Sequence, residues 1–432
     1  MEVTQTLWIQ GRSIALTALL AVTSACGGDG ASDGGAEPPA GEDGDDDDDD
    51  EDPGGDDDPG GDGEPGGDDD DDGLSPCAPA LGPDNADLDT AFEALLAKNH
   101  HAGMAACTIR GGEVTWCRGY GDANRELGTA VDATTPFLMA SVSKLFTATA
   151  LMQLWESGAF ELEDDVAGAT DFPVAHPTSP TPLTYSMLLA HASSIVDVWG
   201  TLGQWYQYGN MDPSISLLDA VAGYLDPQGP YYSTDNWASA APGTEYNYSN
   251  VGSAFAGLLV QLLSGEDFAA RSRSQIFEPL HLQDTAWRLS ELDLDTVAMP
   301  YGYGDETYTP LEHYTFADYP NGGLRASACD MAVFLSSQAA GGSPLLDGAT
   351  VELMQAPTYP DLNGAQGLGW YQENIGPGTW VGHSGGEAGV FTDAFYRLDD
   401  GVGFVLLTNT RGDDIGAVYA VEDQLIAWGE SL

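Results

Sequence analysis

Lysine is nearly absent from this 432-residue chain, which has only Lys98 and Lys144. All told, 12 Lys+Arg stand against 69 Asp+Glu, for a net charge of −57. Such a deficit of cations excludes ordinary electrostatic binding to nucleic acid, which needs positive charge to neutralise phosphates. Histidine is also sparse, with seven residues and no zinc-ligand spacing such as His-Glu-x-x-His, so no metal or cofactor is implied. Cysteine is limited to Cys26, Cys77, Cys107, Cys117 and Cys329.

Near the N-terminus, Arg12 gives a positive flank, Ile14 to Val22 an apolar core and Thr23-Ser-Ala-Cys26 a small-residue box. This is a secretory pattern, and its core is too short to span a bilayer. With Gly27-Gly28 following, residues 1–26 resemble a lipoprotein signal that ends at a lipidated Cys26. The expected location is the bacterial cell envelope, outside the cytoplasm, with the membrane as a partner through that anchor; an ordinary cleaved signal, with a free cysteine and a secreted protein, is the alternative.

Gly27 to Gly73 is low-complexity sequence rich in Gly, Asp and Pro, with 23 acidic residues and no basic one. It has nothing apolar to bury and its charges repel, so residues 27–83 are expected to be a disordered linker. Calcium-loop spacing of the EF-hand kind is missing from it.

Residues 84–432 then form the folded domain. Leu88, Phe92, Leu95 and Leu96 have helical spacing. Met104–Ile109 and Val114–Gly119 flank Arg110-Gly-Gly-Glu113 as a hairpin. A three-residue loop there would set Cys107 opposite Cys117, and secretion allows them a disulfide. Cys77 and Cys329 remain as a pair that sequence does not decide. Leu183–Ala192 and Val251–Ser264 read as helices. Thr379–His383, Val390–Arg397 and Val402–Thr408 alternate as antiparallel strands, and Ala417–Trp428 closes as a helix. The expected class is therefore α/β, an α+β sandwich. One antiparallel sheet is built from N- and C-terminal strands and flanked by helices, with a mainly helical insertion at about 166–315.

The stretch that organises the chain is Phe137 to Gly158. From Ser141 it reads as a buried helix, with small and apolar residues from Leu145 to Trp155. Ser141 and Lys144 share one face. A serine hydroxyl needs a base to become a nucleophile, and a lysine amine can be that base if burial lowers its pKa from ~10.4. Placing one of two lysines on an apolar helix is costly without a role. Tyr248-Ser-Asn250 offers a phenol for proton relay and an amide to hold substrate. Gly382-His-Ser-Gly-Gly386 also fits a nucleophile elbow with Ser384, but that mechanism needs a later histidine and His383 is the last one.

Taken in order, Ser141-x-x-Lys144, Tyr248-x-Asn250 and His383-Ser384-Gly385 resemble the serine β-lactamase-like hydrolases. That group includes class C β-lactamases, D-alanyl-D-alanine carboxypeptidases, D-aminopeptidases and esterases. Pro182–His191, Ile276–Leu280 and Asn321–Leu324 look like further landmarks. The resemblance implies a β-lactamase/transpeptidase-like fold and an acyl-enzyme on Ser141. Lys144 or Tyr248 would be the base, and Asn250, His383, Ser384 and Gly385 would bind substrate. The backbone N–H groups of Ser141 and Gly386 would form the oxyanion hole. Two departures stand out. Ser194 replaces a usual Gly, and His383 replaces the Lys of true β-lactamases, which favours a peptidase or esterase.

The expected partner is a small-molecule or peptide substrate, an amide or ester, acted on by a monomer. True β-lactamase action is the nearer alternative. A non-catalytic penicillin-binding-type sensor and an acidic adhesin are the others. A histidine at 383, with a reference pKa of ~6.5, is expected to hold a substrate carboxylate only at lower pH and so to give a narrow pH bell.

Overall fold

The computed structural model describes residues 77–432, with only a short backbone pairing of Trp8–Ile9 and Arg12–Ser13 ahead of them. Cys26, the rest of the expected leader and the acidic segment up to residue 76 lie outside the described residues.

The expected hairpin consists of β1 (Gly103–Arg110) and β2 (Glu113–Asn124). Its turn has two residues rather than three, Gly111 and Gly112, at φ 59° and 84°. Two-residue hairpin turns favour positive φ, which glycine adopts at no steric cost. The extra residue reappears as a bulge: Thr108 pairs with Trp116 and Ile109 with Val114, leaving Thr115 unpaired. Cys107 therefore still faces Cys117, and a disulfide joins them.

The main sheet adds β3 (Thr129–Ala130), β4 (Tyr371–Glu373), β5 (Trp380–Glu387), β6 (Val390–Arg397) and β7 (Gly403–Thr408). Its order is β4-β5-β6-β7-β1-β2-β3, antiparallel throughout. The strand late in the chain, β7, lies beside the early β1. The helices used below are α1 (Ala86–Lys98), α2 (Ser143–Glu156), α3 (Asn250–Ser264), α4 (Ala328–Ala339) and α5 (Ile415–Ser431).

Alternation along β1 and β7 divides the core in two. Met104, Ala106, Phe404 and Leu406 pack with Phe92 of α1 and Leu425 of α5. Ala105, Cys107, Val405 and Leu407 face the opposite core, where α2, α3 and α4 lie. Both sheet faces are thus covered, and each large apolar side chain buried there contributes about 1.5–3 kcal/mol.

The inserted region holds more short strand pairs than expected. Tyr206–Gln207 pairs with Thr315–Phe316, and Tyr301–Gly304 with Thr307–Pro310. The helix expected over Leu183–Ala192 is only Tyr185–Leu189, because Thr184 caps it and His191 turns to φ 54° just beyond its end. The linker boundary also moves. Residues 77–83 belong to the domain: Cys77 is disulfide-bonded to Cys329, and Leu81 bridges Cys117 by two backbone hydrogen bonds.

Candidate active site

Ser141 sits in a single 3₁₀ turn, Ala140–Val142, that leads straight into α2. Ala140 takes φ 46°, a left-handed conformation that a residue with a side chain adopts only when its surroundings hold it there. β5 does part of that holding. Gly385 packs so tightly on this turn that an added Cβ would lie 2.6 Å from Met139 O and 2.2 Å from Thr392 Oγ1. At Gly386 an added Cβ would meet nothing within 4 Å, so open space lies before this strand residue.

Lys144 is 2% exposed. Its Nζ lies 3.1 Å from Ser141 Oγ, 2.8 Å from Asn250 Oδ1 and 2.7 Å from Asn321 O. The two amide oxygens are acceptors only, so each takes an N–H. A neutral amine then has its lone pair free for the hydroxyl proton of Ser141. Burial brings the Lys144 pKa down from 10.5 to about 7, against the opposing charges of Asp197, Asp318 and Glu387. Tyr248 moves the other way. Burial pushes its phenol well above the usual range, although a hydrogen bond with Ser141 pulls it down. The Lys144 ammonium position is 4.9 Å from the Tyr248 ring centroid.

His383 is 3% exposed, with its ring 6.2 Å from that of Tyr248. Its Nδ1 lies 2.6 Å from Ser384 O, which only accepts, so Nδ1 carries the proton and Nε2 is bare. Burial, helped by Lys144, lowers its pKa to about 3. The expected change of charge near neutrality is therefore corrected. His383 stays neutral because desolvation outweighs its hydrogen bond to Ser384 O. Ser384 lies mid-strand on β5, and its Oγ accepts from the hydroxyl of Tyr371 at 2.9 Å. That is no strand-turn-helix elbow, which removes the rival nucleophile.

Several contributors were not visible in the sequence. Asp197 accepts from Ser249 Oγ, Asn250 N and Val251 N at 2.9–3.1 Å, which fixes the start of α3 and the Asn250 side chain that meets Lys144. The Asn321 carbonyl is the second acceptor for Lys144. Ser194, where a glycine was expected, takes φ 63°, the backbone conformation that glycine favours, and its Oγ donates to Ala240 O. His191 packs tilted against the Tyr248 ring, with centroids 4.4 Å apart, and accepts from Ser249 N. Among the tryptophans of the described residues, Trp205 and Trp370 are core residues and Trp199 is exposed.

The family model for Beta-lactamase matches residues 88–426. Penicillin-binding protein 4 of Amycolatopsis lactamdurans is 28% identical over 346 residues, covering 76% of this chain and 85% of that protein. Two solved structures share the fold. The octameric penicillin-binding protein homologue from Pyrococcus abyssi has a TM-score of 0.65 at 22% identity, over 80% of this chain and 78% of that one. D-amino acid amidase from Ochrobactrum anthropi SV3 has a TM-score of 0.62 at 20% identity, over 80% of this chain and 99% of that one.

Proposed function

Because the chain belongs to the Beta-lactamase family of serine hydrolases, we propose that it hydrolyses an amide or ester through an acyl-enzyme on Ser141. The observation that carries this reading is the Lys144 amine, 3.1 Å from Ser141 Oγ with its other two contacts taken by acceptors. Lys144 takes the Ser141 proton as Oγ attacks the carbonyl carbon. Tyr248, still protonated at neutral pH, gives its proton to the leaving group and recovers one from Lys144. Water then attacks the ester, and the same groups release Ser141. The backbone N–H groups of Ser141 and Gly386 receive the oxyanion, a contribution of about 3 kcal/mol per donor.

Neutral His383 offers no positive charge for a substrate carboxylate, which weighs against β-lactams and C-terminal carboxylates. Ser141→Ala should abolish hydrolysis of p-nitrophenyl acetate and labelling by a serine-directed acylating probe, while Ser384→Ala keeps the label. A label that survives in Ser141→Ala would end this reading.

We also propose that the domain acts outside the cytoplasm, tethered at Cys26. The support is the apolar core and small-residue box before Cys26 and the acidic spacer after it. Cys26→Ser should move the protein from the membrane to the soluble fraction of a lysate. An intact Met1 on the mature protein would contradict the tether.

A further inference from the structure

β5 carries a third residue on the face of His383 and Gly385. Side chains two apart share a strand face, which places Glu387 at the end of that row. His383 looks onto Tyr248 and Gly385 packs on the turn before Ser141, so Glu387 stands on the catalytic side of the sheet, one residue past Gly386. It is half-buried and keeps some access to solvent.

Its carboxylate accepts from the Tyr206 hydroxyl at 2.9 Å and from Ala388 N at 3.0 Å. The protein cations whose charge reaches it are Lys144, itself held near neutrality, and the exposed Arg411. Burial raises the Glu387 pKa, against its hydrogen bonds with Ala388 N and Tyr206 and the charges of Lys144 and Arg411.

Beside Glu387 is a wall of rings. Tyr206 lies 5.2 Å from Phe316, 6.0 Å from Tyr314 and 6.3 Å from Tyr208, and Tyr208 is 55% exposed. The Tyr314 hydroxyl donates to Ala388 O at 2.7 Å, which fixes the chain just after Glu387. A carboxylate next to a cluster of aromatic rings, one of them more than half exposed, is the combination that attracts an alkylammonium group, through ion pairing and the ring quadrupole together. The same surroundings repel an anion.

We propose that Glu387 and the faces of Tyr206 and Tyr208 form a subsite for a cationic ammonium group on the substrate, so that the preferred esters or amides are positively charged. The inference rests on the acyl-enzyme reading for the identity of the reaction. Its binding test needs no turnover.

The probes are benzylammonium, benzyl alcohol and benzoate, titrated by calorimetry into full-length Ser141→Ala protein at neutral pH. Benzylammonium should bind at least about tenfold more tightly than benzyl alcohol, and benzoate should bind more weakly than either. Adding Glu387→Gln should bring the first two to within about threefold. Tyr208→Ala, at a position 55% exposed, should cut the same ratio by at least about threefold. Equal binding of benzylammonium and benzyl alcohol, or a ratio unmoved by both substitutions, would overturn the subsite. A missing acyl label on the wild-type protein would instead overturn the hydrolase reading and leave the calorimetric result standing.

Discussion

At the scale of single residues, burial decides the proton chemistry. Lys144 loses charge as pH rises through about 7, and only its neutral form accepts the Ser141 proton. For a neutral p-nitrophenyl ester, kcat/KM should fall about tenfold per pH unit below that value and level off above it. His383, with its pKa lowered to about 3, contributes no limb between pH 5 and 9. Profiles for the ester and for a D-Ala-D-Ala peptide should therefore share one acid limb, in place of the narrow bell expected from an exposed histidine. A second ionisation near 6.5, seen only with the peptide, would show that His383 titrates after all. Much of this was legible in the sequence because Ser141 and Lys144 are three apart, although α2 starts only at Ser143 and Ser141 sits in the 3₁₀ turn ahead of it. What was not legible depends on distance along the chain. Asp197 reaches Asn250 across 53 residues, and Tyr206 reaches Glu387 across 181. No local pattern encodes such contacts, although the His383-Gly385-Glu387 alternation on one strand is visible in hindsight.

Among the elements, β5 and the Ser141 turn are fitted to each other at Gly385. Gly385→Ala must push the strand or the turn aside, at a cost of about 1–3 kcal/mol of stability. The displacement should also cost about 100-fold in kcat/KM, since ångström-scale misplacement does so elsewhere. Gly386→Ala meets no neighbour, so its stability should stay within about 0.5 kcal/mol of wild type. Alternation puts its new methyl group on the face opposite Gly385, away from the Ser141 turn, so kcat/KM should stay within about threefold of wild type. Thermal melts and ester kinetics on the two variants check both halves, and equal melting temperatures would refute the first. The strands themselves were readable from alternation, as was α3 from its apolar run. The bulge at Thr115 was not, because one residue can be accommodated either in the turn or in the ladder with the same cysteine pairing.

For the whole molecule, the disulfide between Cys77 and Cys329 spans 252 residues and ties the start of the domain to α4. Constraining so long a loop should stabilise by about 2–4 kcal/mol. Cys329→Ala, compared with wild type under oxidising conditions, should unfold at correspondingly lower denaturant. Identical midpoints would mean that the packing of residues 77–83 suffices alone. The large negative charge is shared between the acidic segment and the domain, since the 23 acids of the segment are fewer than half of the 57 excess charges. That field favours approach of cations over anions, in the same sense as the proposed ammonium subsite.

The pairing of β7 with β1 sets the order in which the protein becomes competent. Met104 and Ile109 find their partners Thr408 and Gly403 only after about 300 more residues have been made. Until then the β1–β2 hairpin has an unpaired edge, and the strands that carry Gly385 and Gly386 have no link to it. The segment bearing Ser141 is synthesised in between, long before its oxyanion partner can be held in place. A chain halted before residue 400 would contain every catalytic side chain, yet it should take no acyl label. The nucleophile is expected to stay inert during synthesis, because the strand that completes its sheet is made among the last.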